Sequence, residues 1–218
     1  MPKGGQFKYE FTKGKPWQYD NLYATFDFAI EKTEEEIIEE IKEIEVNSKL
    51  YFDFNQQTVN EVYEAYAMKT SFLGSDDSMV GKEVKNMISK GKLIIDLVYE
   101  TGFIEMTSQG IVSDKNTIVS LKTENQVQDI IYNNLRSTED VFELIKSNLG
   151  PQPYSYYQNF NVTILPEIIK PNVSYDNEFT QKMIDEAVAS ISPTKGMVSN
   201  GELIIQKGDI VGGVKLAK

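Results

Sequence analysis

The sequence predicts an α+β fold, with several helices and a small, mostly antiparallel sheet. Three observations carry that prediction. Helix-start signatures with apolar residues at helical spacing recur along the chain, at Thr33, Thr58, Ser78, Ser137 and Asp176. Short runs with strand-like patterning gather after Gly102. No Pro-, Ser- or Gly-rich linker divides the chain, so one continuous domain over 1–218 is expected.

Residues 1–30 read as an extended N-terminal arm. Gly4, Gly5, Gly14 and Pro16 interrupt any helical pattern, and Phe7, Tyr9 and Phe11 alternate with period two. Thr33-Glu34-Glu35-Glu36 then forms a capping box. The Thr hydroxyl accepts the amide of Glu36 while the Glu side chain reaches back, and the acidic first turn suits the positive end of the helix dipole. Ile37, Ile41 and Ile44 continue at helical spacing, which predicts a helix over 33–46. A second box at Thr58 and Glu61 predicts a helix over 58–72, with Val59, Val62, Tyr63 and Tyr66 on one face.

A third helix is expected over 78–100, stopped by Gly102, and Gly91 in its middle suggests a kink. Phe103–Met106, Thr117–Leu121 and Gln126–Tyr132 read as strands. Helices follow over 137–148 and 176–190, with Asn172–Tyr175 extended between them. The aromatic, Pro-bounded stretch Tyr154–Ile169 carries no assignable period. At the C-terminus, Asn200-Gly201 between two apolar runs predicts a β-hairpin with a type I′ turn inside the region 193–218. The N-terminal arm is expected to pair with that region.

Composition narrows the chemistry. The 218 residues carry 22 Lys+Arg against 33 Asp+Glu, net −11, and Arg136 is the sole arginine. Nucleic-acid and anionic-lipid partners need clustered cations that are absent here. There is no Cys and no His, which removes thiolate and imidazole chemistry, the Ser-His and Cys-His pairs, and zinc sites built on either ligand. No catalytic residue, metal ligand or cofactor site is therefore expected. With 33 acids some carboxylate pair is unavoidable, so a carboxylate-based enzyme has no specific warrant. The acidic run Glu31–Glu45 reads as a solvated helix face rather than a cation site. Asp53, Asp76 and Asp77 lack the spacing of a calcium loop.

Aromatics mark the candidate contact residues. Tyr154, Tyr156, Tyr157 and Phe160 lie in one run, and clustered Tyr offers amphipathic contact area to a ligand or partner. Trp17 is the single Trp. For each of these, packing onto the core is the competing reading, and for Trp17 anchoring of the arm is the favoured one. The sequons at Asn161 and Asn172 are expected by chance in so Asn-rich a chain. No apolar run reaches the roughly 18–20 residues of a membrane helix, and no apolar segment follows Met1-Pro2-Lys3-Gly4-Gly5 to make a signal peptide. A soluble piece is expected, whole or cut from a longer protein.

Two stretches carry a resemblance. Phe7–Trp17 continues to Leu22-Tyr23-Ala24-Thr25-Phe26-Asp27-Phe28-Ala29-Ile30. Lys170-Pro171-Asn172-Val173-Ser174-Tyr175-Asp176 leads through Ala187 and Ile191-Ser192-Pro193-Thr194-Lys195-Gly196-Met197-Val198 to Gly201–Val211. Together they resemble the extracytoplasmic domain of bacterial seven-transmembrane HD-family phosphohydrolases. Between Leu50 and Phe160 only the order of elements matches. The resemblance implies a membrane-anchored parent on the outer face of the bacterial cytoplasmic membrane, with a cytoplasmic HD phosphohydrolase of cyclic di-AMP type. It implies partners in the parent's own transmembrane region and HD domain, and an unidentified outer small molecule or protein. The HD motif needs His, and this chain has none, so the hydrolase lies outside these residues. The expected role is a non-catalytic sensory or interaction domain that regulates the attached enzyme. The alternative is a free-standing extracytoplasmic binding or adhesion scaffold.

Overall fold

A computed structural model of the chain describes residues 8–74, 78–108, 110–150 and 156–212. In chain order the elements are β1 (Leu22–Tyr23), β2 (Phe28–Glu31), α1 (Glu34–Asn47), β3 (Tyr51–Phe54), α2 (Gln56–Thr70), α3 (Met79–Tyr99), β4 (Ile118–Lys122), β5 (Val127–Ile131), α4 (Thr138–Leu149), α5 (Tyr156–Ile168), β6 (Val173–Tyr175), α6 (Asn177–Ala189), β7 (Thr194–Val198) and β8 (Leu203–Ile205). Short 3₁₀ turns lie at Met106–Ser108 and Tyr132–Asn134. The fold is α+β. The chain divides into two compact units, one drawn from Met1–Asn47 and Ile184–Lys218, the other from Ser48–Met183.

The first unit is made by pairing the N-terminal arm with the C-terminal region. β1 pairs antiparallel with β8, and β2 antiparallel with β7. The ladder extends past the strands: Pro16 bridges Ile210, and Trp17 exchanges backbone hydrogen bonds with Asp209 (2.7 Å) and Gly208 (2.8 Å). Tyr9 and Phe11, read from their alternation as strand residues, lie in irregular chain, and the Tyr9 ring packs edge-on against Trp17 at 5.3 Å. Trp17, 3% exposed, packs with Ile205 and Val211. Ala24, Ile30 and Val198 form a second small core.

The expected C-terminal hairpin does not form. β7 and β8 flank the Asn-Gly turn but pair with β2 and β1 rather than with each other. A type I′ turn needs positive φ at both central residues. Here Gly201 has φ 82°, while no non-Gly residue among those described is positive. The Ser199 carbonyl still accepts from Glu202 N–H at 2.9 Å, which closes a turn of type II form. That form splays its flanking strands.

The capping box of α1 is present: Glu36 N–H donates to Thr33 Oγ1 at 3.2 Å, and Thr33 N–H donates to Glu36 Oε2 at 2.8 Å. Its stripe Ile37, Ile41 and Ile44 is half-buried.

The second unit joins a four-stranded sheet, ordered β5-β4-β3-β6, to a layer of helices. Only β3–β4 is parallel, because α2 and α3 form the crossover between them. Phe52, Val119, Leu121 and Val173 form the core of the inner sheet face. Val62 and Tyr66 of α2, Ile94 and Val98 of α3, Ile145 of α4 and Leu165 of α5 centre the helical core.

Two sequence expectations change here. α2 starts at Gln56, two residues before Thr58, because Asn55 takes the cap and accepts from Thr58 N–H at 3.1 Å. α3 runs unbroken through Gly91. That glycine makes room for a neighbour: a Cβ there would lie 1.9 Å from Tyr66 Oη. The unassigned aromatic stretch becomes α5, with Pro166 in its last turn. Asn161 of α5 is fully buried, accepts from Tyr66 Oη at 2.9 Å and donates through Nδ2 to the Met87 carbonyl at 2.9 Å. Asn172 is 3% exposed, so in the folded chain neither sequon presents its Asn to solvent.

Candidate functional site

The second unit carries a cleft of about 670 Å³, within the range of small-molecule sites. One wall is the loop from Gly110 to Lys115, entered after the 3₁₀ turn at Met106–Ser108. Beside it lies the Tyr132–Asn134 turn, and Arg136, Ser137, Glu139 and Asp140 at the start of α4 complete the lining. Apolar contact is confined to Ile104, Val112, Tyr132 and Leu135, so the lining is mostly polar.

Backbone hydrogen bonds hold these segments in register. Asn133 N–H donates to the Lys115 carbonyl and Tyr132 N–H to the Thr117 carbonyl, both at 2.9 Å. Arg136 is gripped on both backbone sides, donating to the Gly102 carbonyl at 2.9 Å and accepting from Ile104 N–H at 3.0 Å. Gly102 has φ 96°, and a Cβ there would lie 2.6 Å from Val173 Cγ2, so this grip requires glycine.

The charged groups are held differently. Arg136 is half-buried, and its Nε–H donates to the Leu97 carbonyl in the last turn of α3 at 2.9 Å. Its guanidinium has no carboxylate partner among the described residues, and neither has the Lys115 ammonium. Asp140 is committed to the α4 capping box: it accepts from Ser137 N–H at 2.8 Å, while Ser137 Oγ accepts from Asp140 N–H at 3.2 Å. Glu139 is exposed and makes no ion pair with a described residue.

A second polar cluster lies on the outer sheet face. Lys122 pairs with Asp53 at 3.0 Å and with Asp176, and its ammonium sits 4.1 Å from the Phe179 ring centre. Burial pushes the Asp176 carboxyl up, but the Lys122 ammonium and the Phe179 N–H outweigh it and hold the carboxyl below its usual range. Burial likewise works against the Lys122 charge, and the two carboxylates overcome it and raise the ammonium. Every charge in this cluster is paired, so its chemistry is spent on holding α6 against the sheet. Among the described residues no group of three acids is placed to hold a metal ion.

Of the residues singled out from the sequence, Trp17, Tyr157 and Phe160 lie elsewhere. Trp17 is in the core of the first unit, where its indole N–H donates to the Asp20 carbonyl at 2.9 Å. Tyr157 and Phe160 are half-buried, one turn apart on α5. Tyr156 opens α5, and Tyr154 lies outside the described residues. Trp17, Tyr157 and Phe160 do not line the cleft. Sequence reasoning passed over the cleft residues: Arg136 stood out only as a lone arginine, Glu139 only as part of the helix start at Ser137, and nothing marked Lys115.

No helix among the described residues is long and apolar enough to cross a membrane. Compared with known proteins, residues 18–218 match a family described as 7TM-HD extracellular. The cyclic-di-AMP phosphodiesterase PgpH of Listeria monocytogenes is 32% identical over 97 residues, covering 44% of this chain and 12% of that protein. No solved structure matches.

Proposed function

The chain belongs to the family of 7TM-HD extracellular domains, and from that premise we propose that it is the sensory or interaction domain of a membrane-anchored HD phosphohydrolase. Its place is the extracytoplasmic side. The two units serve together as one extracytoplasmic domain, since the chain leaves the first, runs through the second and returns. The domain performs no catalysis of its own, and the attached enzyme hydrolyses a cyclic dinucleotide of the cyclic di-AMP type.

The observation that carries this reading is the family match over residues 18–218, supported by the likeness to PgpH. The residue chemistry agrees with it. A chain without His or Cys is poorly equipped for hydrolysis yet well able to bind. A domain of this kind acts by differential affinity. A ligand that binds one conformation of the parent more tightly shifts the enzyme toward it, and one that binds both equally shifts nothing. The cleft of the second unit is the site proposed for that ligand.

The test uses the parent protein in membrane vesicles, with cyclic di-AMP hydrolysis as the readout. Replacing residues 18–218 by a flexible linker should change the rate, and the isolated chain should show no turnover. An unchanged rate sinks the regulatory role. A reading frame with a signal peptide upstream and a stop codon soon after Lys218 sinks the membrane-anchored reading and leaves a secreted binding scaffold.

A further inference from the structure

We infer that the cleft of the second unit takes a zwitterion, an amino acid or a short peptide bearing a free carboxylate and a free ammonium group. The inference rests on the sensory reading above for its biological meaning, but its argument is the charge pattern of the cleft.

The cleft is lined by two cations and two anions, and their commitments differ. Asp140 gives one carboxylate oxygen to the capping box of α4 and is held there, though its charge remains. That leaves Arg136, Lys115 and Glu139, none of which has an ion-pair partner among the described residues. Both cations line the one cleft, and no acid among the described residues neutralises either of them there. Arg136 is further prepared. Its Nε–H is fixed by the Leu97 carbonyl and its backbone is pinned on both sides, so its remaining guanidinium N–H groups are ordered before any ligand arrives. A planar guanidinium held this way suits a carboxylate, which it can grip with two parallel hydrogen bonds. Lys115 on the loop wall adds a second positive charge.

A ligand carrying only a carboxylate would leave Glu139 facing a like charge, which is unfavourable inside a cleft. An ammonium group on the same ligand removes that cost. Ser113, Asn133 and Asn134 supply donors and acceptors suited to peptide groups between the two ends. The volume exceeds the need of a single charged group and leaves room for a peptide of a few residues.

The experiment is isothermal calorimetry on the chain with L-alanine and tri-L-alanine as probes. Acetate, methylamine, inorganic phosphate and glucose are the controls. Saturable binding of either zwitterion at millimolar concentration or below is expected, with the single-charge probes at least tenfold weaker. Lys115→Gln and Glu139→Gln should each weaken it at least tenfold, Lys115→Gln without moving the melting temperature and Glu139→Gln with only a small fall, because Glu139 also lies in the acidic first turn of α4. Arg136→Lys should weaken it while keeping the positive charge. Acetate or phosphate binding as tightly as the zwitterions would overturn the inference, as would a Glu139→Gln variant that binds unchanged, or no saturable binding of either zwitterion.

The sensory reading fails separately. If the zwitterion binds but leaves cyclic di-AMP hydrolysis by the parent unaltered, the cleft stands and the regulation falls. If replacing residues 18–218 alters hydrolysis while no zwitterion binds, the regulation stands and the cleft assignment falls.

Discussion

At Gly91 the α3 surface lacks a side chain because the Tyr66 hydroxyl occupies that space. A Cβ would lie 1.9 Å from Tyr66 Oη and 2.3 Å from Cζ. The cluster it admits is fully buried, with Tyr66 donating to Asn161 and Asn161 donating to Met87. Burial pushes the Tyr66 hydroxyl up to about 12, so it stays a donor at any physiological pH. Gly91→Ala should therefore cost about 1–3 kcal/mol in urea unfolding, the usual range for overpacking. Adding Tyr66→Phe should not restore the loss, because the ring carbon clashes as well as the hydroxyl. The Lys122 cluster makes a pH prediction. The Asp176 carboxyl is depressed in the fold, so its contribution is present above about pH 4 and lost as pH falls through its lowered value. Lys122 is raised, so its contribution is present below about pH 10 and lost as pH rises through its raised value. Asp176→Asn keeps an acceptor for the Phe179 N–H but removes the charge. Its stability deficit, read as a urea midpoint, should be present at neutral pH and shrink below about pH 4. A deficit unchanged by acid would show that the charge contributes nothing.

Five helices were legible in the sequence because their signals are local: a capping side chain followed by an apolar stripe, as at Thr33 and Ser137. The sixth, α5, was not. Its buried positions include the polar Asn161 beside Leu165 and Ile168, so no clean apolar period shows, and Pro166 argues against a helix. Packing, rather than propensity, makes it helical. The C-terminal turn is the opposite case, a correct local signal with a wrong partner. Asn200-Gly201 does turn, but β1 and β2 supply the pairing that a hairpin would have used. The cleft was illegible for a related reason. It is assembled from loop and turn segments between Ile104 and Asp140 that have no period of their own. The turn at Gly201 can be tested. With φ 82° and no atom within 4 Å of an added Cβ, Gly201→Ala meets backbone strain alone. A loss of about 1–2 kcal/mol is expected. Trp17 is the single Trp and lies in the first unit, so its emission during denaturation is the readout. A fully neutral substitution would mean that the turn does not need its left-handed residue.

The whole molecule is divided unevenly by the chain. Ser48–Met183 is continuous and holds both larger cores and the four-stranded sheet. A fragment of residues 48–183 should therefore fold alone, with helical circular dichroism and a cooperative melt. A fragment without a cooperative transition would show that this unit depends on the rest of the chain. The first unit has no such independence, because each of its two sheets takes one strand from each end of the sequence. That topology sets a clock. Phe28 pairs with Val198, about 170 residues later. At synthesis rates of about 5–20 residues per second, β1 and β2 wait on the order of 10–30 s for their partners. During that wait their edges and the Trp17 indole stand uncovered while the intervening unit can already be complete. The ends of the chain are thus the last part to close, and the interval in which they stay open is when a newly made molecule is most exposed to proteases and to mispairing with another copy of itself.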